Sequence, residues 1–551
     1  MFESELYNRL LLEHSQDVNK IFLEELQKRD MKDFNELIDF INNYERRIYS
    51  EKTILQCVDI VSFFQLNIQK DFAKYVLENY ILYGMYLNLI CNFHCIKYEI
   101  EEYCKKNNKL TNNQLLYISL YVDIIELNLN ENYFVTDKGL KNCVCLQILH
   151  AENNKNITIC KPFAKTILEL NASNDCGIGD KELKKCVNLQ KLNACNNGKI
   201  TTCLPFAKSL IHLNAKFSDD LYVKPKSFFC FREKKYGIDD EGIEKCINLQ
   251  VLYADYNMNL TTCEPFSNSL IMLSASECGI NDKGIENCNK LERLNAENNS
   301  NITSCLSFSK TLLKLNARST LCGINDKGLQ DCINLQYLNA ESNNKITTCN
   351  PFANSLVELI ASNYSHENTN FCGLIFYRGI CGISDKGLEN CVNIKILNAD
   401  NNSKITTCEP FAKSLIILSA ATYELGFEMS GIDDFGLKNC VNLQRLNANK
   451  NEKITTCDPF ANSLLELSAC YYCGIDDEGL KNCINLQKLY ASCNSKITTC
   501  DPFANSLIEL KADGECGIND EGLKNCINLK KLTAKKNYDI TIIKIENKFI
   551  L

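Results

Sequence analysis

The sequence predicts an α/β solenoid, in which short parallel strands line a concave face and short helices or 3-10 turns line a convex face, after an all-helical N-terminal domain. Three observations predict it. Residues 119–545 repeat a pattern of 21 or 22 residues, seven of the eight prolines occupy one slot of that pattern, and residues 1–118 lack both. A chain of 551 residues exceeds what one compact core supports, so an elongated array explains its length.

The repeat has two alternating forms. Residues 484–491 read Ile-Asn-Leu-Gln-Lys-Leu-Tyr-Ala, then come Lys-Ile-Thr-Thr-Cys and Asp-Pro-Phe-Ala-Asn-Ser-Leu. A second Leu-x-x-Leu-x-Ala stretch follows, and then Cys-Gly-Ile-x-Asp-x-Gly-Leu. A fixed period of this size indicates stacked repeats. The 18 modules start at Ile124, Leu146, Ile167, Leu189, Leu210, Leu249, Leu270, Leu291, Leu312, Leu335, Leu356, Ile394, Leu415, Leu443, Leu464, Leu486, Leu507 and Leu529.

The first half of a module predicts a short strand followed by a turn. Leu486, Leu489 and Ala491 alternate towards the core, as the period of two in a strand requires. Asn494 stands at the ninth position, where its side chain is expected to hydrogen-bond the turning backbone. Ile497 then returns to the core.

The second half of a module predicts a short helix or 3-10 turn. Asp501 is the expected N-cap and Pro502 the first helical residue, with Phe503 facing inward. In the alternate module Asp520 is the expected cap, and Leu523 faces inward.

Cysteine is frequent, with 33 residues, and most occupy three repeated slots. One slot precedes the Asn-Leu-Gln strand, one ends Thr-Thr-Cys, and one precedes Gly-Ile. Buried thiols behave as small apolar groups, so core packing is the main interpretation. The odd count and the acidic N-terminus without a signal-peptide pattern favour reduced thiols and a cytoplasmic location, or the host cytoplasm for a viral protein. Neither Cys91-x-x-x-Cys95 nor Cys470-x-x-Cys473 has the second pair that structural zinc takes, so no metal is expected.

These modules resemble those of leucine-rich-repeat proteins. The stretch at 516–526, Cys-Gly-Ile-Asn-Asp-Glu-Gly-Leu-Lys-Asn-Cys, is similar to the cysteine-containing subclass found in F-box proteins. The Pro-Phe-Ala-x-Ser-Leu-x-x-Leu stretches are similar to the FNIP-type repeats of amoebae and giant viruses. The resemblance implies a curved solenoid that binds proteins and carries no catalytic residues.

Residues 1–118 predict a helical domain, with a candidate helix over 111–119 among others. Residues 34–41 followed by 54–66 resemble the helical C-terminal part of BTB/POZ and Skp1-like folds. An F-box-like segment is the other adaptor candidate. A plain helical cap over the end of the solenoid is the alternative. The adaptor interpretations imply a cullin or Skp1-like partner for this segment.

Composition and motifs favour a protein-binding protein over an enzyme. The net charge of −8 argues against a nucleic-acid binder held by phosphate contacts. No apolar run is long enough to span a membrane. Phosphate-binding loops, nucleophile motifs and metalloprotease motifs are absent from the sequence, so no cofactor is expected. The candidate functions are a protein-interaction scaffold, the substrate-recognition subunit of a ubiquitin ligase, and a structural spacer without a specific ligand.

The third position of each module is the first place to expect recognition, because this residue of the strand faces the concave surface and its identity varies along the array. A mixed apolar and cationic stretch near the middle combines residue types that interfaces favour. Its members are Val251, Met272, Arg293, Lys314 and Tyr337.

Three insertions, at about 216–235, 363–380 and 421–430, interrupt the period just after a strand. We expect them to emerge on one rim, where insertions in repeat proteins often bind. Exposed aromatic residues in such loops are candidate contacts. The candidates are Phe228, Phe229, Phe231, Phe376 and Tyr377.

Overall fold

A computed structural model describes residues 104–106, 109–121, 123–217, 237–368, 375–423 and 429–541. The chain divides into two compact units. The N-terminal unit comprises Met1–Ala215 and Phe228–Cys246, and the C-terminal unit comprises Lys216–Ser227 and Ile247–Leu551. In the described part of the chain, no helix is long and apolar enough to cross a membrane.

In the described part of the N-terminal unit, helix α1 (Asn112–Tyr121) precedes the strands, which confirms the helix expected near 111–119. Five strands follow, each of three residues and each parallel to and in register with its neighbour. They are β1 (Glu126–Asn128), β2 (Ile148–His150), β3 (Glu169–Asn171), β4 (Lys191–Asn193) and β5 (His212–Asn214). Between them lie 3-10 turns at Lys161–Phe163 and Leu204–Phe206 and helix α2 (Asp180–Leu183), and helix α3 (Asp240–Ile243) follows β5.

The C-terminal unit continues the same pattern with thirteen parallel strands among its described residues. The first six are β6 (Val251–Tyr253), β7 (Met272–Ser274), β8 (Arg293–Asn295), β9 (Lys314–Asn316), β10 (Tyr337–Asn339) and β11 (Glu358–Ile360). An antiparallel hairpin follows, made of β12 (Tyr364–Asn368) and β13 (Ile375–Gly379). The remaining parallel strands are β14 (Ile396–Asn398), β15 (Ile417–Ser419), β16 (Arg445–Asn447), β17 (Glu466–Ser468), β18 (Lys488–Tyr490), β19 (Glu509–Lys511) and β20 (Lys531–Thr533).

Short helices and 3-10 turns alternate behind the strands of the C-terminal unit. The helices are α4 (Asp282–Ile285), α5 (Asp326–Leu329), α6 (Asp385–Leu388), α7 (Asp434–Leu437), α8 (Asp477–Leu480) and α9 (Asp520–Leu523). The 3-10 turns are Glu264–Phe266, Leu306–Phe308, Asn350–Phe352, Glu409–Phe411, Asp458–Phe460 and Asp501–Phe503.

The strand array confirms the predicted fold class, a leucine-rich-repeat solenoid. Each of the 18 predicted modules contributes one parallel strand, which begins two residues after the module start. The central leucine of most strands, such as Leu489, is buried in the core, and in most strands its two neighbours remain partly accessible. Ladder hydrogen bonds join equivalent positions of adjacent modules, so the leucines stack in rows.

The convex half differs from expectation by one residue at each cap. Asp501 is the first residue of its 3-10 turn, and the Thr499 hydroxyl accepts from the Asp501 N–H at 3.1 Å. In α9 the cap is Asn519, whose Oδ1 accepts from the Gly522 N–H at 3.0 Å. The carboxylate of Asp520 instead accepts from the backbone N–H and hydroxyl of Thr541 in the next module. The predicted caps were therefore wrong because these aspartates bond to neighbouring modules.

An asparagine ladder closes the turn that follows alternate strands. As expected for the ninth position, Asn494 Nδ2 donates to the carbonyl oxygens of Ala469 at 2.9 Å and Ile475 at 3.1 Å. Its Oδ1 accepts from the Lys496 N–H at 3.0 Å. The side chain is 1% exposed, so these bonds satisfy backbone groups that water does not reach.

The core is built from leucine, one phenylalanine in each 3-10 turn, and cysteine. The eight turn phenylalanines, Phe503 among them, are the largest fully buried side chains among the described residues. Thiols from successive modules pack in pairs, and in one of them the hydrogen bond that Cys160 donates to Cys186, together with burial, raises the pKa of Cys160. Burial raises the pKa of the Cys143 and Cys381 thiols to about 12. The predicted core role of these cysteines is confirmed for the described residues.

The candidate protein-binding strand face

The first residue of each strand, which is the third residue of its module, lies beside its counterparts on the neighbouring strands and forms a row with them. In the C-terminal unit, Val251 pairs with Met272, Met272 with Arg293, Arg293 with Lys314, and Lys314 with Tyr337. Neighbouring strands in a sheet lie about 4.8 Å apart, so the five residues span roughly 19 Å. The structure thus brings together all five residues that the sequence singled out on strands, and we call them the central row.

Each member of the central row is followed by a leucine that is buried in the core. Because successive side chains of a strand point to opposite faces, the members of the row lie on the accessible face. Arg293 and Lys314 are exposed, while Met272 and Tyr337 are half-buried. The Tyr253 hydroxyl lies 3.9 Å from Met272 Sδ, which fixes one side of the thioether. The row therefore offers two exposed cations between half-buried apolar and aromatic groups.

Several charged residues at the same position of other strands are neutralised by their neighbours. Glu466 lies between Arg445, at 3.8 Å, and Lys488, at 3.5 Å. Lys531 pairs with Glu509 at 3.7 Å in the same way. In the N-terminal unit Lys191 and Glu169 are 3.0 Å apart. These stretches satisfy their own charges.

The central row departs from this rule. No ion pair joins Arg293, Lys314 or Glu358 to any residue that the structure describes. Arg293 and Lys314 are register partners, so two positive charges stand side by side on the sheet. Like charges directly opposite each other in a sheet are destabilising, and no ion pair within the described part of the chain offsets this.

Tyr337 lies at the acidic end of the central row. Burial and the negative charges of Glu358 and Glu341 raise the pKa of its hydroxyl. Glu358 is its register partner on β11. At neutral pH the tyrosine is thus a neutral hydrogen-bond donor between the cationic pair and a carboxylate.

The asparagines at the fifth position of a module, which is the last residue of its strand, have a structural role that the sequence did not indicate. Asn295 Oδ1 accepts from the Glu297 N–H at 3.2 Å, and Asn339 Oδ1 accepts from the Glu341 N–H at 3.0 Å. The bond to the residue two positions later ends the strand by turning the backbone, as asparagine commonly does. The sequence did carry one signal for this role, because Asn295 and Asn339 each stand two residues before another polar residue.

The acidic side chains two residues after the strands, which we call the acidic lane, also have partners within the protein. Asp255 accepts from the Ser274 hydroxyl at 2.6 Å and from the Ser276 N–H at 2.9 Å. Arg318 lies 3.3 Å from Glu297 and 3.2 Å from Glu341. Burial raises the pKa of Glu341, and Arg318 offsets only part of that effect. Sequence reasoning missed this lane because its partners come from different modules.

Comparison with known proteins adds little to this geometry. No protein-family model matches the sequence, and no curated protein matches it significantly. Among solved structures, the chain is similar to the functional domain of InlJ from Listeria monocytogenes, described as including a cysteine ladder. The two share 13% identity over 77% of this chain and 69% of that chain, with a TM-score of 0.31. At that TM-score the likeness carries no argument about function.

The predicted aromatic contacts in the insertions are only partly placed. Phe228, Phe229 and Phe231 lie outside the described residues. Phe376 and Tyr377 lie in β13, where their backbones pair with Glu367 and His366. The described residues of the second insertion thus form two antiparallel strands, and these aromatic residues stay predictions as contact sites.

No site for a metal ion is present in the part of the chain that the structure describes, in the sense of three or more grouped His, Cys, Asp or Glu side chains. Cys473 is buried in the core, and burial raises its pKa to about 11. Cys91 and Cys95 lie outside the described residues.

Proposed function

We propose that this protein is an interaction scaffold without a catalytic role, and that it binds a protein ligand on the central row. The observation that carries the proposal is the break in charge pairing along the strand face. In each unit, charges at the same strand position form ion pairs with one another, whereas Arg293 and Lys314 are exposed and have no ion pair among the described residues. Arg293, Met272 and Tyr337 also belong to the residue types that are enriched in interface centres.

The alternatives make different demands on the molecule. A structural spacer needs no accessible unpaired charges, because nothing binds to its strand face. The ubiquitin-ligase interpretation depends on residues 1–118, of which only 104–106 and 109–118 are described. It stays a prediction, as does the division at residue 118. A cytoplasmic location is supported by buried thiols that pack as core side chains, since reducing compartments keep thiols reduced.

The test is capture of ligands from cell lysate, with the full chain as bait. The test variant is Arg293→Gln with Lys314→Gln, which removes two charges from the central row. The matched control is Arg445→Gln with Lys488→Gln, which removes two charges from the self-paired stretch. We expect the wild-type chain and the control to retain the same ligand, and the test variant to lose most of it.

Two outcomes would contradict the proposal. Retention of the same ligand by all three baits would exclude the central row as the binding surface. An empty wild-type bait would favour the spacer. Cullin or Skp1-type proteins that are retained by all three baits would support the adaptor interpretation of residues 1–118, because those residues are unchanged.

A further inference from the structure

We infer that the central row takes an acidic segment of the partner protein, with a carboxylate that bridges Arg293 and Lys314. This inference rests on the proposed function and names the chemistry of its ligand. Arg293 and Lys314 are register partners on β8 and β9, so their side chains leave the same face about 4.8 Å apart. One carboxylate has two oxygens and reaches both cations at that separation.

Charge complementarity favours an acidic occupant over a neutral or basic one. Apart from Glu358 at the far end, the acids beside the row are already engaged: Asp255 by Ser274, and Glu297 and Glu341 by Arg318. The exposed cationic pair is therefore the main unsatisfied charge on this stretch of the strand face. An arriving carboxylate relieves the repulsion between the two cations and gains two charge-assisted hydrogen bonds.

The spacing of the row predicts a pattern in the partner. Met272 lies about 7 Å from the midpoint of the cationic pair, and Glu358 about 12 Å from it on the other side, at a strand spacing of about 4.8 Å. An extended chain advances about 3.3 Å per residue. In the partner, an apolar residue about two positions from the acid would therefore contact Met272. A basic residue about four positions from the acid, in the opposite direction along the segment, would contact Glu358. Even separations place all three side chains on one face of the extended segment.

The row suits a protein segment better than a nucleic acid. A nucleic acid needs several cations in line along its phosphates, whereas the row offers only two. Met272 lies next to Arg293 and Tyr337 next to Lys314, so uncharged residues border the pair on both sides. Glu358 would repel a phosphate backbone that ran further along the row. The chain as a whole carries a net charge of −8.

The test selects peptides from a displayed random library on the full chain. The best peptide is then synthesised and titrated by fluorescence anisotropy. We expect an excess of Asp and Glu among the selected peptides, and affinity that falls as salt increases. Arg293→Glu with Lys314→Glu is expected to weaken the best peptide about tenfold or more, because both bridging bonds become repulsive. Lys327→Glu with Lys386→Glu makes the same charge change on exposed residues of α5 and α6 and is expected to leave affinity unchanged.

Selected peptides without an acidic excess, no selected peptides, or affinity that is insensitive to the Arg293 and Lys314 reversal would each overturn the inference. So would a single-stranded RNA oligonucleotide that binds through the same pair while acidic peptides do not. These failures are separable from failure of the proposed function. If lysate capture still depends on the central row, the function stands and only the partner chemistry is wrong.

Discussion

Replacement of Asn343 by alanine is expected to destabilise the C-terminal unit by about 3 kcal/mol. The Asn343 side chain is fully buried. Its Nδ2 donates to the carbonyl oxygens of Ala317 at 2.8 Å and Ile324 at 3.2 Å, and its Oδ1 accepts from the Lys345 N–H at 2.9 Å. Alanine removes all three bonds and leaves two buried carbonyl groups without partners.

The magnitude follows from those two carbonyls. A buried polar group that loses its partner costs about 1–3 kcal/mol, and the Lys345 N–H reaches solvent more easily because that residue is exposed. Two buried groups at about 1.5 kcal/mol each, in the lower half of that range, give about 3 kcal/mol. Because each module contacts mainly its neighbours, the loss should be concentrated around β9 to β11.

The assay is urea denaturation followed by circular dichroism, with native-state hydrogen exchange to locate the weakened modules. Asn344→Ala is the matched control, since Asn344 is the adjacent residue and is exposed. Its effect should stay within about 0.5 kcal/mol. Equal unfolding midpoints for the two variants, or protection lost evenly over the array, would refute the asparagine-ladder argument.

The remaining predictions concern the close approach of modules and the buried thiols. Gly387→Ala is expected to cost about 2 kcal/mol in urea unfolding, because the new Cβ would overlap the Thr347 carbonyl oxygen, whereas Lys386→Ala is expected to cost little. Stability should also fall as pH rises from 9.0 towards 12. Unfolded thiols ionise near 9.0 and the buried Cys381 thiol only near about 12, so unfolding releases protons in that window. Each such thiol should remove about 1.4 kcal/mol by pH 10, and an unfolding midpoint constant from pH 8 to 10 would contradict this.

Most of the architecture was predictable from the sequence because the repeat is written in local periodicity. Leu486, Leu489 and Ala491 alternate with period two, and a proline in one slot marks the turn that follows. Register needed no further information, since identical modules pair at identical positions. For the same reason, the third position of each module could be identified as accessible on the strand face, and with it the members of the central row.

The caps and the polar lanes were not predictable, since they depend on which neighbour a side chain meets. Asp520 and Asn519 are both good caps by composition, and only the position of Thr541 in the next module decides that Asn519 caps α9. Likewise Asn339 could face a ligand or its own backbone, and its bond to the Glu341 N–H decides the second.

The sequence by itself determined the repeat, the strand positions, the buried leucine, phenylalanine and cysteine rows, and the five residues of the central row, because these follow from period and polarity within a module. Only the tertiary structure decided which charges are neutralised. Glu466 has cations on both adjacent strands, whereas Arg293 has Met272 on one side and Lys314 on the other. An ion pair depends on the distance between side chains of different modules, and stacking, not the order of residues within one module, sets that distance.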